Sequence, residues 1–236
     1  MTDLPPFPGF RADALRFLAD LRENNDREWF KPRKDTFDDE LMWPARCLVA
    51  EVAAEAARAG IPLTADPAKG VFRIYRDTRF SKNKAPYKTH VGLAWTRSGR
   101  KGDEGGLYAH VEPGGSFVAA GFWQPEPALL RRFRERIAGD PAAWLAAVAE
   151  VEAADIDGAH PRVAPSEALK RMPRGYETLA DSDVAHALRW KGAVATLPVA
   201  DDAVQRPDFA ARVVAFAHAA MPLLVWGWAA GEPAGT

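Results

Sequence analysis

Residues 70–95 read GVFRIYRDTRFSKNKAPYKTHVGLAW, and within this stretch the spacing of apolar residues changes from a helical period to a period of two. Phe72 and Ile74 alternate with Arg73, Tyr75 and Asp77, and Val91, Leu93 and Trp95 alternate with His90, Gly92 and Ala94. Alternation at period two sends successive side chains to opposite faces, so both runs are predicted strands. Further on, Leu107, Ala109 and Val111 alternate with Tyr108, His110 and Glu112. Pro113-Gly114-Gly115 then turns the chain into a fourth predicted strand from Ser116 to Trp123. The expected product is an antiparallel meander over residues 70–124.

The flanks are helical. Between Arg11 and Glu23, Ala14, Leu15, Phe17, Leu18 and Leu21 fall at helical spacing, and Asn24-Asn25 tolerates a helix end. Asp26 can cap a short turn carrying Trp29 and Phe30, and Pro32 sits early in the helical run that reaches Gly60. After Pro125-Glu126-Pro127 the helical period returns through Leu129, Leu130, Phe133 and Ile137. Gly139-Asp140-Pro141 separates it from a helix holding Trp144, Leu145 and Val148. Residues 157–174 are less regular. Segregated helices, strands and helices predict an α+β fold: an antiparallel β-meander covered on one face by N- and C-terminal helices. Residues 1–236 read as one domain, with 1–60 helical, 70–124 the meander and 125–236 mostly helical.

If the alternation holds, Phe72, Ile74, Val91, Leu93, Trp95, Leu107, Ala109 and Val111 face the helices. Arg73, Tyr75, Asp77, Lys88, His90, Tyr108, His110 and Glu112 then share the opposite face, a titratable surface where chemistry can sit. Into one edge of it the stretch Arg73–Tyr87 packs Arg73, Arg76, Arg79, Lys82 and Lys84 around one carboxylate, Asp77. Converging guanidinium forks match carboxylate and phosphate oxygens, so Arg73, Arg79 and Lys84 are candidate clamps for an anionic ligand. Asp77 is the candidate organiser, since surrounding cations make it a poor base near neutral pH. The alternative reading is a structural Arg-Asp network pinning the loop. Arg76 shares parity with Phe72 and Ile74, which predicts a buried guanidinium paired with a helical acid such as Asp26 or Glu28.

RIYRDTRFSKNKAPY resembles the signature of the DUF2461 family, proteins of bacteria and fungi of about this length and of uncharacterised activity. Arg73, Arg76, Asp77, Arg79, Phe80, Asn83, Lys84 and Tyr87 meet its pattern without departure. The resemblance extends to Asn24-Asn25 through Trp29-Phe30, and to Leu169-Lys170-Arg171 through Gly175-Tyr176 with Leu188, Arg189 and Lys191. It implies membership and leaves the chemistry open; the ligand-binding role is read from the charge cluster and the sheet-face parity. The ligand-binding set is accordingly Arg73, Arg76, Asp77, Arg79, Asn83, Lys84, Tyr87, His90 and His110, with catalytic residues and cofactor unassigned.

Other chemistries find little support. His90, His110 and Glu112 share parity, which offers a metal site or an acid-base pair as one reading, yet no HxH, HExxH or CxxC spacing is present; the two histidines read as solvated and no metal set is assigned. No phosphate-binding glycine loop and no Gly-x-Ser-x-Gly elbow occurs. Cys47 is the single cysteine and reads as a packed thiol, which fits a reducing, cytoplasmic setting. The charges balance, 31 Lys plus Arg against 32 Asp plus Glu, and the sequence pI is near 6.5. Nucleic acid is therefore a disfavoured partner, and an anionic small molecule the favoured one. A non-catalytic module that binds nucleic acid or a protein partner through the same surface, with Tyr75, Tyr87 and Tyr108 as stacking or hot-spot residues, is the second reading. Met1 to Pro8 does not resemble a signal peptide, and Arg212, His218 and Pro222 interrupt the most apolar run, so no membrane partner is expected. Lys170, Arg171 and Arg174 read as a solvated loop or as an extension of the anion site.

Overall fold

The structure is a computed structural model that describes residues 4–79 and 81–231; Phe80 of the signature lies outside the described residues. The helices before the sheet are α1 (Ala12–Glu23), α2 (Arg27–Phe30), α3 (Lys34–Phe37), α4 (Trp43–Arg58) and α5 (Pro67–Gly70). A 3-10 turn at Lys31–Arg33 precedes α3, and a π-helical turn at Asp38–Met42 follows it. Strands β1 (Val91–Thr96), β2 (Gly106–Val111) and β3 (Phe117–Phe122) come next. They are followed by α6 (Pro127–Gly139), α7 (Pro141–Ala153), β4 (Arg162–Pro165), α8 (Ala185–Leu188) and β5 (Ala193–Pro198). Helices α9 (Asp201–Val204), α10 (Phe209–Ala219) and α11 (Met221–Gly231) close the chain. The strands form one five-stranded antiparallel sheet in the order β1-β2-β3-β5-β4, so the fold class is α+β.

Chain contacts cluster into two compact units. The first holds residues 4–101, Tyr108–Val118 and Pro198–Val214. Its core is helical on one side: α1 buries Ala14, Leu15, Phe17, Leu18 and Leu21 as its spacing predicts. Asp26 accepts a hydrogen bond from the Trp29 amide at 2.8 Å, the expected cap of α2. Phe17, Phe30 and Phe37 close into an aromatic cluster with centroids 5.3–6.2 Å apart. Helix α4 lies against β1, where buried Trp95 donates its indole N–H to the Val49 carbonyl at 3.0 Å. Cys47 is buried in α4, and burial pushes its thiol pKa up, consistent with packing rather than reactivity.

The second unit holds Gly102–Leu107, Ala119–Leu197 and residues 215–231. Phe122 of β3 meets Phe133 of α6 edge-on at 5.0 Å. A Cβ on Gly227 of α11 would stand 2.1 Å from the Phe122 ring, so only glycine lets that helix approach. Gly121, at φ 141°, lets β3 close on β5: a Cβ there would stand 2.3 Å from the Ala193 carbonyl oxygen. Strand β4 pairs antiparallel with β5, Arg162 opposite Thr196 and Pro165 opposite Ala193. Residues 157–174, expected to be irregular, thus contain a strand, and the region after residue 125 holds two strands among its helices.

Three of the four predicted meander strands form. The first does not: residues 70–77 make only isolated bridges, Val71 to Leu93 and Tyr75 to Tyr87. The reason is a phase change. Val71 and Ile74 are both buried although three residues apart, so the chain bends between them and Phe72 turns to the polar face. There Phe72 meets Tyr108 edge-on at 6.0 Å, instead of facing the helices. Among the described residues no single helix is long and apolar enough to cross a membrane.

Candidate functional site

Two features of the first unit concentrate polar chemistry. One is the signature loop, whose polar groups are largely satisfied within the loop. Asp77 takes Arg79 in a bidentate pair, Nε to Oδ1 at 3.0 Å and Nη2 to Oδ2 at 2.7 Å, and also accepts the Arg79 amide at 3.2 Å. The Arg79 guanidinium holds the Asp77 carboxyl below its usual range. Asn83 Oδ1 accepts the Ala85 amide at 2.9 Å, and Lys84 Nζ donates to the Thr78 carbonyl at 2.9 Å. Tyr87 is buried and stacks on Phe30 at 4.2 Å. Asn25 pairs with the Tyr87 backbone on both sides, donating Nδ2 to its carbonyl and accepting its amide, each at 3.0 Å. An amide side chain here does the work of a neighbouring strand. Arg76 is half-buried, and among the described residues its guanidinium makes no ion pair, so the expected partnership with Asp26 or Glu28 is absent. A cleft of about 690 Å³ runs between Asn25–Glu28 and Thr78, Lys84, Ala85 and Pro86, lined by acids and bases together.

The other feature is the open sheet face. Tyr108 and His110 on β2, Glu112 just past it and His90 just before β1 stand together, as their parity predicts. The Tyr108 hydroxyl lies 3.1 Å from His110 Nδ1, and His110 Nε2 lies 3.1 Å from Glu112 Oε2. Glu112 Oε1 accepts from Thr89 Oγ1 at 3.1 Å and from the Arg22 guanidinium at 2.9 Å. The His90 and His110 rings lie 4.1 Å apart, and Phe117 stacks on His110 at 4.7 Å. Both histidines are half-buried, with 12% of the His110 side chain exposed, so the solvated reading does not hold. Burial, and next His110, lowers the His90 pKa to about 4. Burial, then Glu112, pushes Tyr108 up to about 12. Burial raises the Glu112 pKa, but hydrogen bonds from His110 and Thr89 outweigh it and the net shift is downward. Gly92 makes room for the tyrosine: a Cβ there would stand 2.7 Å from the Tyr108 hydroxyl.

Beside this cluster, Phe72 carries two ammonium groups against its ring, Lys101 at 4.4 Å and Lys88 at 5.4 Å from the centroid. Lys101 also donates to the Val71 carbonyl at 2.7 Å. Burial, and then Arg73, lowers the Lys88 pKa; burial, and then Lys88, lowers that of Lys101. Among the described residues no carboxylate pairs with Arg73, Lys88 or Lys101. Of the sequence candidates, His90 and His110 thus share a cluster, Arg73 borders it, and Asp77, Arg79, Asn83 and Lys84 organise the loop. Arg22, Phe72, Thr89, Lys88, Lys101, Tyr108, Glu112 and Phe117 complete the face. Lys88, Tyr108 and Glu112 carried the alternation signal; Arg22 and Phe117 carried none. Lys170, Arg171 and Arg174 are exposed and belong to the second unit.

Fold and site together define an α+β protein with an open, titratable sheet face beside a self-bonded basic loop. The chain belongs to the DUF2461 family: the sequence model of that family, described as a conserved hypothetical protein, matches residues 13–226. No curated protein and no solved structure matches the chain.

Proposed function

We propose that the protein binds a phosphate- or carboxylate-bearing small molecule on its open sheet face, with Arg73, Lys88 and Lys101 as the cationic contacts around Phe72. The observation that carries this reading is the unbalanced charge. Two ammonium groups crowd one aromatic ring, Arg73 adds a third positive charge, and each lysine's pKa is depressed in part by its cationic neighbour. The two lysines are only partly desolvated and Arg73 is exposed; partial desolvation without a counter-charge costs free energy, which an incoming anion offsets. The Asp77–Arg79 pair is already neutralised, so in this reading the signature loop shapes the rim and the sheet face makes the contact. Tyr108 and His110 supply hydrogen-bonding groups at the same place.

A thermal-shift screen of the purified chain against inorganic phosphate, nucleotides, phosphosugars, dicarboxylates and short oligonucleotides tests it. A ligand at a hundred times its dissociation constant adds about 2.7 kcal/mol of stability. The expected result is a shift with phosphate- or carboxylate-bearing small molecules that Lys88→Ala with Lys101→Ala abolishes and Arg79→Ala retains. A shift lost in Arg79→Ala and kept in the double lysine variant moves the contact to the loop. No shift with any anion refutes the reading.

A further inference from the structure

We propose that His90, His110 and Glu112 form a binding site for a Zn²⁺-class divalent cation. The inference does not rest on the anion reading, whose cationic contacts are Arg73, Lys88 and Lys101, although both readings use His110 and Tyr108.

The candidate donor atoms of the three residues all lie within 4.8 Å of one another. Two donors bound to one zinc ion at about 2.0–2.1 Å stand about 3.3 Å apart at the tetrahedral angle. The 3.1 Å between His110 Nε2 and Glu112 Oε2 is close to that edge, so the cation takes the place of the proton the two atoms now share. His90, just before β1, stands at the third corner with its ring centroid 4.1 Å from that of His110, and its donor atom, within 4.8 Å of the other two, moves in on binding.

The surroundings are those of a supported ligand set. A His110 that binds through Nε2 carries its proton on Nδ1, and the Tyr108 oxygen at 3.1 Å accepts it. Glu112 is held through Oε1 by Thr89 and Arg22, which leaves Oε2 for the ion. Phe117 stacks on His110 and fixes its ring plane. Arg22 takes part of the carboxylate's charge, which weakens the site while orienting it. Two imidazoles and one carboxylate favour Zn²⁺ or Co²⁺ over Mg²⁺ and Ca²⁺, which prefer oxygen ligands throughout. Three protein ligands leave a coordination position for water or another ligand.

The test takes the full chain, stripped by chelation, and titrates it with ZnCl₂ by calorimetry and with CoCl₂ by visible absorption. One ion per chain is expected, with binding weakened at least about tenfold in Glu112→Gln and in His90→Ala and unchanged in His160→Ala. Long-range ¹H–¹⁵N spectra of the unsubstituted chain read ligation directly, with the His90 and His110 imidazole resonances moving on Zn²⁺ addition. The proposal is overturned by absence of stoichiometric binding or by binding that leaves those two rings unmoved. Full-strength binding by both folded variants overturns it as well.

Discussion

At the scale of single residues, the sheet-face cluster makes a pH-dependent contribution to stability. His90 is held neutral in the folded protein, its pKa lowered from 6.5 to about 4 by burial and by His110. In the unfolded chain it takes up a proton below pH 6.5, so its contribution is present above that value and is lost as pH falls toward 4. In metal-free protein, unfolding free energy measured by urea between pH 6.5 and 4 is expected to fall more steeply than in His90→Asn. The excess slope is up to about 1.4 kcal/mol per pH unit. Equal slopes would place the His90 ring in contact with solvent. The shared face of Tyr108, His110 and Glu112 was legible from their two-residue spacing. His90 joined them through an expected strand pairing, whereas Arg22, 90 positions away from Glu112, had no local signal at all.

At the scale of elements, the signature loop depends on the turn between α1 and α2. Asn25 satisfies both backbone groups of Tyr87, and removing its amide leaves two partly buried polar groups without partners. Asn25→Ala is therefore expected to cost about 1–3 kcal/mol, read as a lower urea midpoint together with faster amide exchange at Tyr87. A cost within experimental error would show that water replaces the side chain. Helices α1 and α6 were readable from their apolar spacing, and α7 from the Gly139-Asp140-Pro141 break before it, where Asp140 accepts the Ala143 amide. Strand β5 also alternates, burying Ala193, Ala195 and Leu197, but small alanines gave its pattern little hydrophobic contrast. Strand β4 is four residues of mostly exposed side chains ending in a proline, and it exists because β5 is there to pair with. The predicted strand at 70–77 failed for the opposite reason: period two was present locally, and burial of both Val71 and Ile74 broke it.

At the scale of the whole molecule, charge limits the partners. The chain is nearly neutral, 31 basic against 32 acidic residues, and the sheet-face cations form a local excess rather than a basic track. If a short oligonucleotide binds there, contact with Arg73, Lys88 and Lys101 alone predicts a slope of log affinity against log salt no steeper than about −2, from about −0.7 per phosphate. A steeper slope in a binding titration would require an extended nucleic-acid surface and refute the small-anion reading. The sequence by itself determined family membership, the α+β class, the helical flanks and the parity that groups the polar sheet residues. These follow from local spacing and from a run of fixed residue types. Only the tertiary structure decided that Arg79 and Asp77 bond within their own loop, that Tyr87 is a buried anchor, and that Lys88 and Lys101 meet over Phe72. Those outcomes turn on which groups come within a few ångströms across long stretches of chain, and burial and pairing there override the local period.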